Sequence, residues 1–297
     1  MLDTSDRCIF DDDLIAFRDQ VRRFVEREFS PNLSSYDEAG AVSRAFWFNA
    51  GSAGFLCPGI AQDYGGTGLD FRYNVVLNEE MSYAGAADCI NLQSDITSPY
   101  IEKYGTEEQK RRWLPRLISG ETILAIAMTE PGAGSDLQGI RTTARKEGDE
   151  YVVNGSKTYI TNGQNTDLIL CVVKTDPAAG AKGTSIVLVE ADRPGFERGR
   201  NLSKVGQWSA DTSELFFNDV RVPTANLLGE ENQGFIYLVS ELAQERLSIS
   251  VSAQAAAQRA YDEAAKYVRE RKAFGKPIID FQNTRFMLAD MHSSLQV

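Results

Sequence analysis

Residues 127–136 of this 297-residue chain read Ala127-Met128-Thr129-Glu130-Pro131-Gly132-Ala133-Gly134-Ser135-Asp136. An apolar run from Ile123 to Met128, strand-like in composition, ends there in a loop of glycines, a proline, hydroxyls and carboxylates. Such a loop sets backbone N–H groups beside side-chain oxygens. That chemistry suits a flat, hydrogen-bonding, phosphorylated ligand, with an ordinary turn as the competing reading. A second polar segment, Tyr159-Ile160-Thr161-Asn162-Gly163, follows on a later strand. Its competing readings are a cross-strand aromatic pair at Tyr159 and plain strand propensity at Thr161. A third segment, Arg271-Lys272-Ala273-Phe274-Gly275-Lys276, closes a long helix and joins Lys266 and Arg269 in a basic cluster. A solvated helix end favoured by the macrodipole explains that cluster equally well. On the same helix Leu238, Leu242, Glu245 and Ile249 recur at one-face spacing. A charged, unpaired carboxylate on such a stripe costs several kcal/mol, roughly. Glu245 therefore has a partner, lines a cavity or carries a raised pKa, and an ion pair with Arg246 or Arg259 is the structural alternative. Glu241, one turn earlier, reads as surface.

These residues need scaffolds, and the chain reads as helical, then β, then helical. Leu14, Phe17, Val21, Phe24 and Val25 keep helical spacing up to Pro31. Helices are expected over 73–84 and 91–104, the latter bent or divided at Pro99. Thr106 with Gln109 forms a capping box, and Gly120 is a natural helix stop. From about Thr122 to Gly229 the chain turns rich in Val, Ile, Thr and Tyr, with turn signals at Gly148-Asp149, Asn154-Gly155 and Asn162-Gly163. That predicts an antiparallel barrel or sandwich, with a two-residue hairpin turn at Asn154-Gly155. Helical periodicity returns at Gly234, runs to about Lys272, and resumes near Asp280. The expected fold is thus α+β and multidomain: a helical domain over 1–122, a β domain over 123–232, and the start of a helical bundle over 233–297.

Composition narrows the function. There are 42 acidic against 31 basic residues, a net charge of −11. That disfavours a nucleic-acid partner and docking on an anionic membrane. No apolar run approaches spanning length, and Met1 to Arg7 has neither a signal nor a transit layout, so a cytoplasmic chain is expected. The single histidine, His292, excludes His-rich metal sites, and no metal centre is expected. It reads as a surface or interface residue. The cysteines at 8, 57, 89 and 171 form no C-x-x-C pair, and Cys57, Cys89 and Cys171 read as core. No Walker loop occurs, and Leu137 replaces the third glycine of a dinucleotide fingerprint, so any cofactor site is not a Rossmann fold.

The three polar segments, in this order, resemble the acyl-CoA dehydrogenase family of flavoenzymes. The resemblance covers nearly the whole chain. It includes Tyr64-Gly65-Gly66-Thr67-Gly68, Gly105-Thr106-Glu107-Glu108-Gln109-Lys110 and Leu215-Phe216-Phe217-Asn218-Asp219-Val220-Arg221-Val222-Pro223. It implies FAD as cofactor, an acyl-CoA thioester as substrate and an electron-transfer flavoprotein as electron acceptor. It also implies a homotetramer, or a heteromer with a related subunit. One branch, the isovaleryl and long-chain type, carries its catalytic glutamate just before an arginine on the long helix, and Glu245-Arg246 matches it. The implied substrate is a long or branched acyl thioester, contacted by Ser135, Leu242 and Arg246. Residues Ile126, Ala127, Met128, Thr129, Gly134 and Ser135 are implied to lie along the flavin, with Thr129 on its polar edge. Tyr159, Ile160 and Thr161 follow at the ring, and Arg271, Phe274 and Gln282 are implied to reach the cofactor of a neighbouring subunit.

The family continues beyond the position that matches Val297. The helix from Asp280 is therefore expected to expose Phe281, Phe286, Leu288 and Met291, as in a truncated chain or a split subunit completed by another. Two alternatives accompany the dehydrogenase reading: an acyl-CoA oxidase, and a non-catalytic or partner-dependent subunit.

Overall fold

The computed structural model describes residues 8–86 and 90–297; Cys89 lies outside them. Six helices come first: α1 (Asp12–Phe24), α2 (Leu33–Ala39), α3 (Arg44–Ser52), α4 (Phe71–Tyr83), α5 (Ser98–Tyr104) and α6 (Glu107–Ile118). Seven strands follow: β1 (Leu124–Ala127), β2 (Thr143–Glu147), β3 (Glu150–Thr161), β4 (Leu168–Lys174), β5 (Thr184–Glu190), β6 (Phe196–Asn201) and β7 (Thr212–Pro223). The 37-residue α7 (Gly234–Glu270), a small hairpin of β8 (Lys272–Ala273) and β9 (Lys276–Pro277), and α8 (Gln282–Gln296) complete the chain.

The helix ends follow their capping chemistry. Asp11 accepts from the Leu14 N–H at 3.0 Å to open α1. Thr106 and Gln109 form the expected reciprocal box at the start of α6. Pro99 stands in the first turn of α5, where its missing N–H costs nothing. Before it, residues Leu92–Thr97 widen into a π-type turn, so the predicted 91–104 helix is divided as expected. Buried Arg18 of α1 meets Glu79 and Glu80 of α4, both at 2.6 Å.

The sheet differs from expectation in two respects. It is mixed rather than wholly antiparallel: β1 runs parallel to β4 in the order β1-β4-β2-β3-β7-β6, with β5 on β4. And Asn154-Gly155 is no hairpin turn. The hairpin closes instead at Gly148-Asp149, and β3 runs on through a bulge at Gly155. Gly155 has φ 151°, and a Cβ there would lie 2.4 Å from Thr142 Oγ1. The glycine signal was one of close backbone approach, which sequence alone does not separate from a tight turn.

Two cores share one wall. On β1, β4 and β5 alternate side chains point opposite ways. Leu124, Ile126, Leu168, Leu170, Ile186 and Leu188 join the helical core. Ala125, Ala127, Ile169, Cys171, Val187 and Val189 fill the curled sheet. Both faces are dry, which explains why these strands read as unbroken apolar runs. Cys57 and Cys171 are buried and Cys8 is exposed. At the far end, Phe286, Met287 and Met291 of α8 are exposed, while Phe281 and Leu288 are half-buried. No helix among the described residues is long and apolar enough to cross a membrane.

Candidate active site

Glu245 lies inside. Its residue exposure is 7%, on an α7 face that also buries Leu238, Glu241, Ser248, Ser252 and Ala255. This face is turned one step from the predicted stripe. Ile249 is 53% exposed and Leu242 half-buried, while Glu241, read as surface, is buried. Sequence periodicity missed it because the inward positions 241, 245, 248 and 252 are polar, so hydrophobicity points the wrong way.

Each inward carboxylate meets a tyrosine of α5. The Tyr100 hydroxyl donates to Glu245 Oε1 at 2.8 Å, and the Tyr104 hydroxyl to Glu241 Oε1 at 2.7 Å. Positions 100 and 104 stack on one face of α5, as 241 and 245 do on α7. The two rungs differ in charge. Lys103 Nζ lies 2.5 Å from Glu241 Oε2, whereas no cation pairs with Glu245 among the described residues. The ion pair considered from sequence is not made: Arg259 pairs with Glu263 at 2.7 Å, and Arg246 is exposed. Burial pushes the Glu245 carboxyl above its ordinary 4.5 and the nearby Glu241 charge adds to the rise; the Tyr100 hydrogen bond and the Arg246 charge work against it. Burial and the Glu245 charge likewise raise the Tyr100 phenol, so that hydroxyl stays a donor.

The 127–136 loop is tightly folded. Glu130 and Ala133 exchange backbone hydrogen bonds at 2.9 and 3.1 Å. Ile126 and Ala127 are buried on β1, Met128 and Thr129 half-buried, and Gly132, Gly134 and Ser135 exposed. Glu130 turns inward rather than toward a ligand. Its Oε1 is 2.9 Å from Lys157 Nζ, and it accepts the N–H groups of Arg141 at 2.6 Å and Thr142 at 2.9 Å. Lys157 also donates to the Met128 carbonyl at 3.0 Å. This latch was not legible: Lys157 follows the Gly155 bulge, which breaks the two-residue parity that would show it pointing inward.

The latch joins two of the predicted segments. Thr158 N–H donates to the Thr129 carbonyl at 2.9 Å, so Met128 and Thr129 lie beside Tyr159. Tyr159 is 68% exposed at φ 59°, and the ladder to β7 slips between Lys157 and Ile160. It makes no aromatic pair among the described residues. A bulky residue held at positive φ with its ring in solvent is an outlier that points to a contact beyond the chain. Ile160 is buried, and Thr161 is half-buried opposite Thr212.

The π-type turn bridges the loop's strand and the long helix. Gln93 Oε1 accepts from Leu124 N–H at 2.9 Å on β1. Two residues on, Asp95 accepts from Ser248 Oγ at 2.5 Å and Gln244 Nε2 at 2.8 Å, both on α7. Arg271, Phe274 and Gln282 are not brought to Glu245. They sit exposed at the other end of α7. Phe274, 95% exposed, holds φ 51° and Gly275 φ 79° in the β8–β9 turn, the two-positive-φ geometry of a tight hairpin. His292 is exposed as expected.

Known proteins share this fold. Family models described as the acyl-CoA dehydrogenase N-terminal, middle and C-terminal domains match residues 11–121, 125–220 and 232–297. The long-chain specific acyl-CoA dehydrogenase, mitochondrial, of Sus scrofa is 44% identical over 300 residues, covering 100% of this chain and 70% of that protein. A crystal structure of an acyl-CoA dehydrogenase from Geobacillus kaustophilus superposes with a TM-score of 0.95 at 49% identity, over 97% of this chain and 77% of that one. A glutaryl-CoA dehydrogenase from Mycobacterium smegmatis, solved in complex with FADH2, gives a TM-score of 0.89 at 30% identity, over 98% and 74% of the two chains.

Proposed function

This chain belongs to the acyl-CoA dehydrogenase family, and we propose that it removes the α-proton and β-hydride of a long or branched acyl-CoA thioester, with Glu245 as base. The observation that carries this reading is a sheltered carboxylate with a raised pKa, hydrogen-bonded to a phenol and paired with no cation. Such a group keeps its proton affinity high enough to take a weakly acidic C–H proton. A salt-bridged glutamate would be a poorer base.

The residues of the 127–136 loop and the Tyr159 bulge fit FAD. A strained, exposed ring next to the half-buried Thr129, in a loop that also exposes Ser135, offers stacking and hydrogen bonds to a flat heteroaromatic ligand. In this reading Ile126, Ala127, Met128, Thr129, Gly134, Ser135, Tyr159, Ile160 and Thr161 hold the cofactor, and Ser135, Leu242 and Arg246 face the thioester. FAD, when bound, supplies the acceptor for the hydride. The protein's task is to hold the acyl α- and β-carbons between carboxylate and ring.

Arg271 is the next C-terminal residue after α7. A rise of about 1.5 Å per residue puts it roughly 39 Å from Glu245 along the axis. One copy therefore cannot bring both to one flavin ring. We assign Arg271, Phe274 and Gln282 to the cofactor of a second copy in a homotetramer, or of a related subunit. Arg271→Ala should lower FAD affinity about tenfold, the loss of one charge-assisted hydrogen bond, and leave thioester affinity unchanged. Flavin release by ultrafiltration and thioester titration of the holoenzyme measure the two; equal losses would remove the inter-subunit role.

Electron-transfer flavoprotein as acceptor and a cytoplasmic location complete the proposal. Anaerobic titration of the purified, FAD-loaded protein with acyl-CoA thioesters tests its centre. Bleaching of the flavin by a long or branched thioester is the expected result. Peroxide formed on admitting air would favour an oxidase, and a purified chain that stays colourless even with added FAD and a partner subunit would favour a non-catalytic or partner-dependent subunit.

A further inference from the structure

We propose that Tyr100 is the positioning residue of the base, and that the neighbouring Tyr104–Glu241–Lys103 rung opposes it in setting the proton affinity of Glu245. The inference rests on the reading of Glu245 as base.

The geometry gives the two carboxylate oxygens different work. Tyr100 is fully buried and holds Glu245 Oε1 at 2.8 Å. Oε2 has no hydrogen-bond donor among the described residues, and it is not among the side-chain atoms sealed away without a partner. Oε2 is therefore the open oxygen. In the reaction the α C–H bond breaks and its proton forms an O–H bond at Oε2; the β C–H bond breaks as hydride, for which bound FAD would supply the acceptor, and the electron pair left at the α-carbon becomes the α,β double bond. Tyr100 stays a donor throughout, so it fixes the carboxylate plane without exchanging a proton.

The charged and titratable groups around Glu245 come from three elements. From α5 come Tyr100, Tyr104 and Lys103. From the π-type turn comes Asp95, which accepts from Ser248 of the same α7 face. On α7 itself stand Glu241 and Arg246. Two of these act in opposite senses on the charged form of Glu245: Tyr100 stabilises it by donating, and Glu241 disfavours it as a like charge one turn away. Lys103 pairs with Glu241 at 2.5 Å and so holds that carboxylate in place beside Glu245.

Opposite signs make the test. In the FAD-loaded protein, the pH dependence of flavin reduction by substrate reports the base. Tyr100→Phe should move its acid limb up by about one pH unit, the scale of one hydrogen bond to a charged group. Glu241→Gln, which keeps shape and leaves Lys103 in place, should move the limb down. A purely structural role would lower the rate or raise KM without shifting the limb. Unmoved limbs, or limbs moved in the same direction, overturn the proposal. If Glu245→Gln keeps full activity, the reading of the base itself fails, and the limb then belongs to another group.

Discussion

Glu245→Gln should abolish flavin reduction by acyl-CoA while leaving FAD content, thioester binding and folding intact. A positioned general base contributes about 10²–10⁴-fold, and glutamine cannot accept the proton, so the single-turnover rate should fall by at least the upper part of that range. The substitution keeps the packing: a carbonyl oxygen still accepts from Tyr100, and no salt bridge is broken, because Glu245 pairs with no cation among the described residues. Stability should not suffer either. A carboxyl whose folded pKa lies above its unfolded value contributes stability below the ordinary 4.5 and loses it as pH rises through the folded value. At neutral pH the buried charge is a net cost, which the neutral amide removes. The variant should thus unfold in urea at the same concentration as the parent, or a higher one, at neutral pH. Rapid-mixing anaerobic spectra give the rate. Turnover retained within a few-fold would place the base elsewhere.

The same region shows which signals a sequence carries. The helix that bears Glu245 was legible to within a few residues, because capping and glycine chemistry are local. So was the succession of helical, β and helical segments. The rotation of α7 was not. Its inward face is made of Leu238, Glu241, Glu245, Ser248 and Ser252, and a polar inward face inverts the rule by which hydrophobicity marks burial. The partners that make it tolerable, Tyr100, Tyr104 and Asp95, come from more than a hundred residues away. The parallel pairing of β1 with β4 was hidden for a related reason: strands dry on both faces carry no alternation to read. Glu130 shows a second kind of silence. The loop as a whole read as ligand-type with no separate role for its carboxylate, and only the buried Lys157 shows that Glu130 serves the loop itself.

That latch carries the second large effect, on stability. Lys157→Met should destabilise the protein by about 3–5 kcal/mol, the usual result of stripping one partner from a buried ion pair. The Lys157 side chain is 0% exposed and that of Glu130 8%, so water cannot replace the lost ammonium. Methionine fills the volume of the stem but leaves the Glu130 carboxylate with only two backbone N–H groups, and leaves the Met128 carbonyl without its donor. The pH dependence should identify the cause. In the parent, burial acts to raise the Glu130 carboxyl, yet the charge and hydrogen bond of Lys157, together with the hydrogen bonds from Thr142 and Arg141, outweigh it and hold the group below 4.5. The parent's stability from this group is present above the unfolded value and is lost as pH falls through the folded one. In the variant the carboxyl takes a proton more readily, so the difference between the two proteins should be largest at neutral pH and shrink toward acid. Adding Glu130→Gln to Lys157→Met should recover much of the loss, since no buried charge then stands alone. Urea unfolding of the two variants at several pH values makes the measurement. A deficit independent of pH, and not relieved by the second substitution, would mean that Lys157 acts through packing rather than charge.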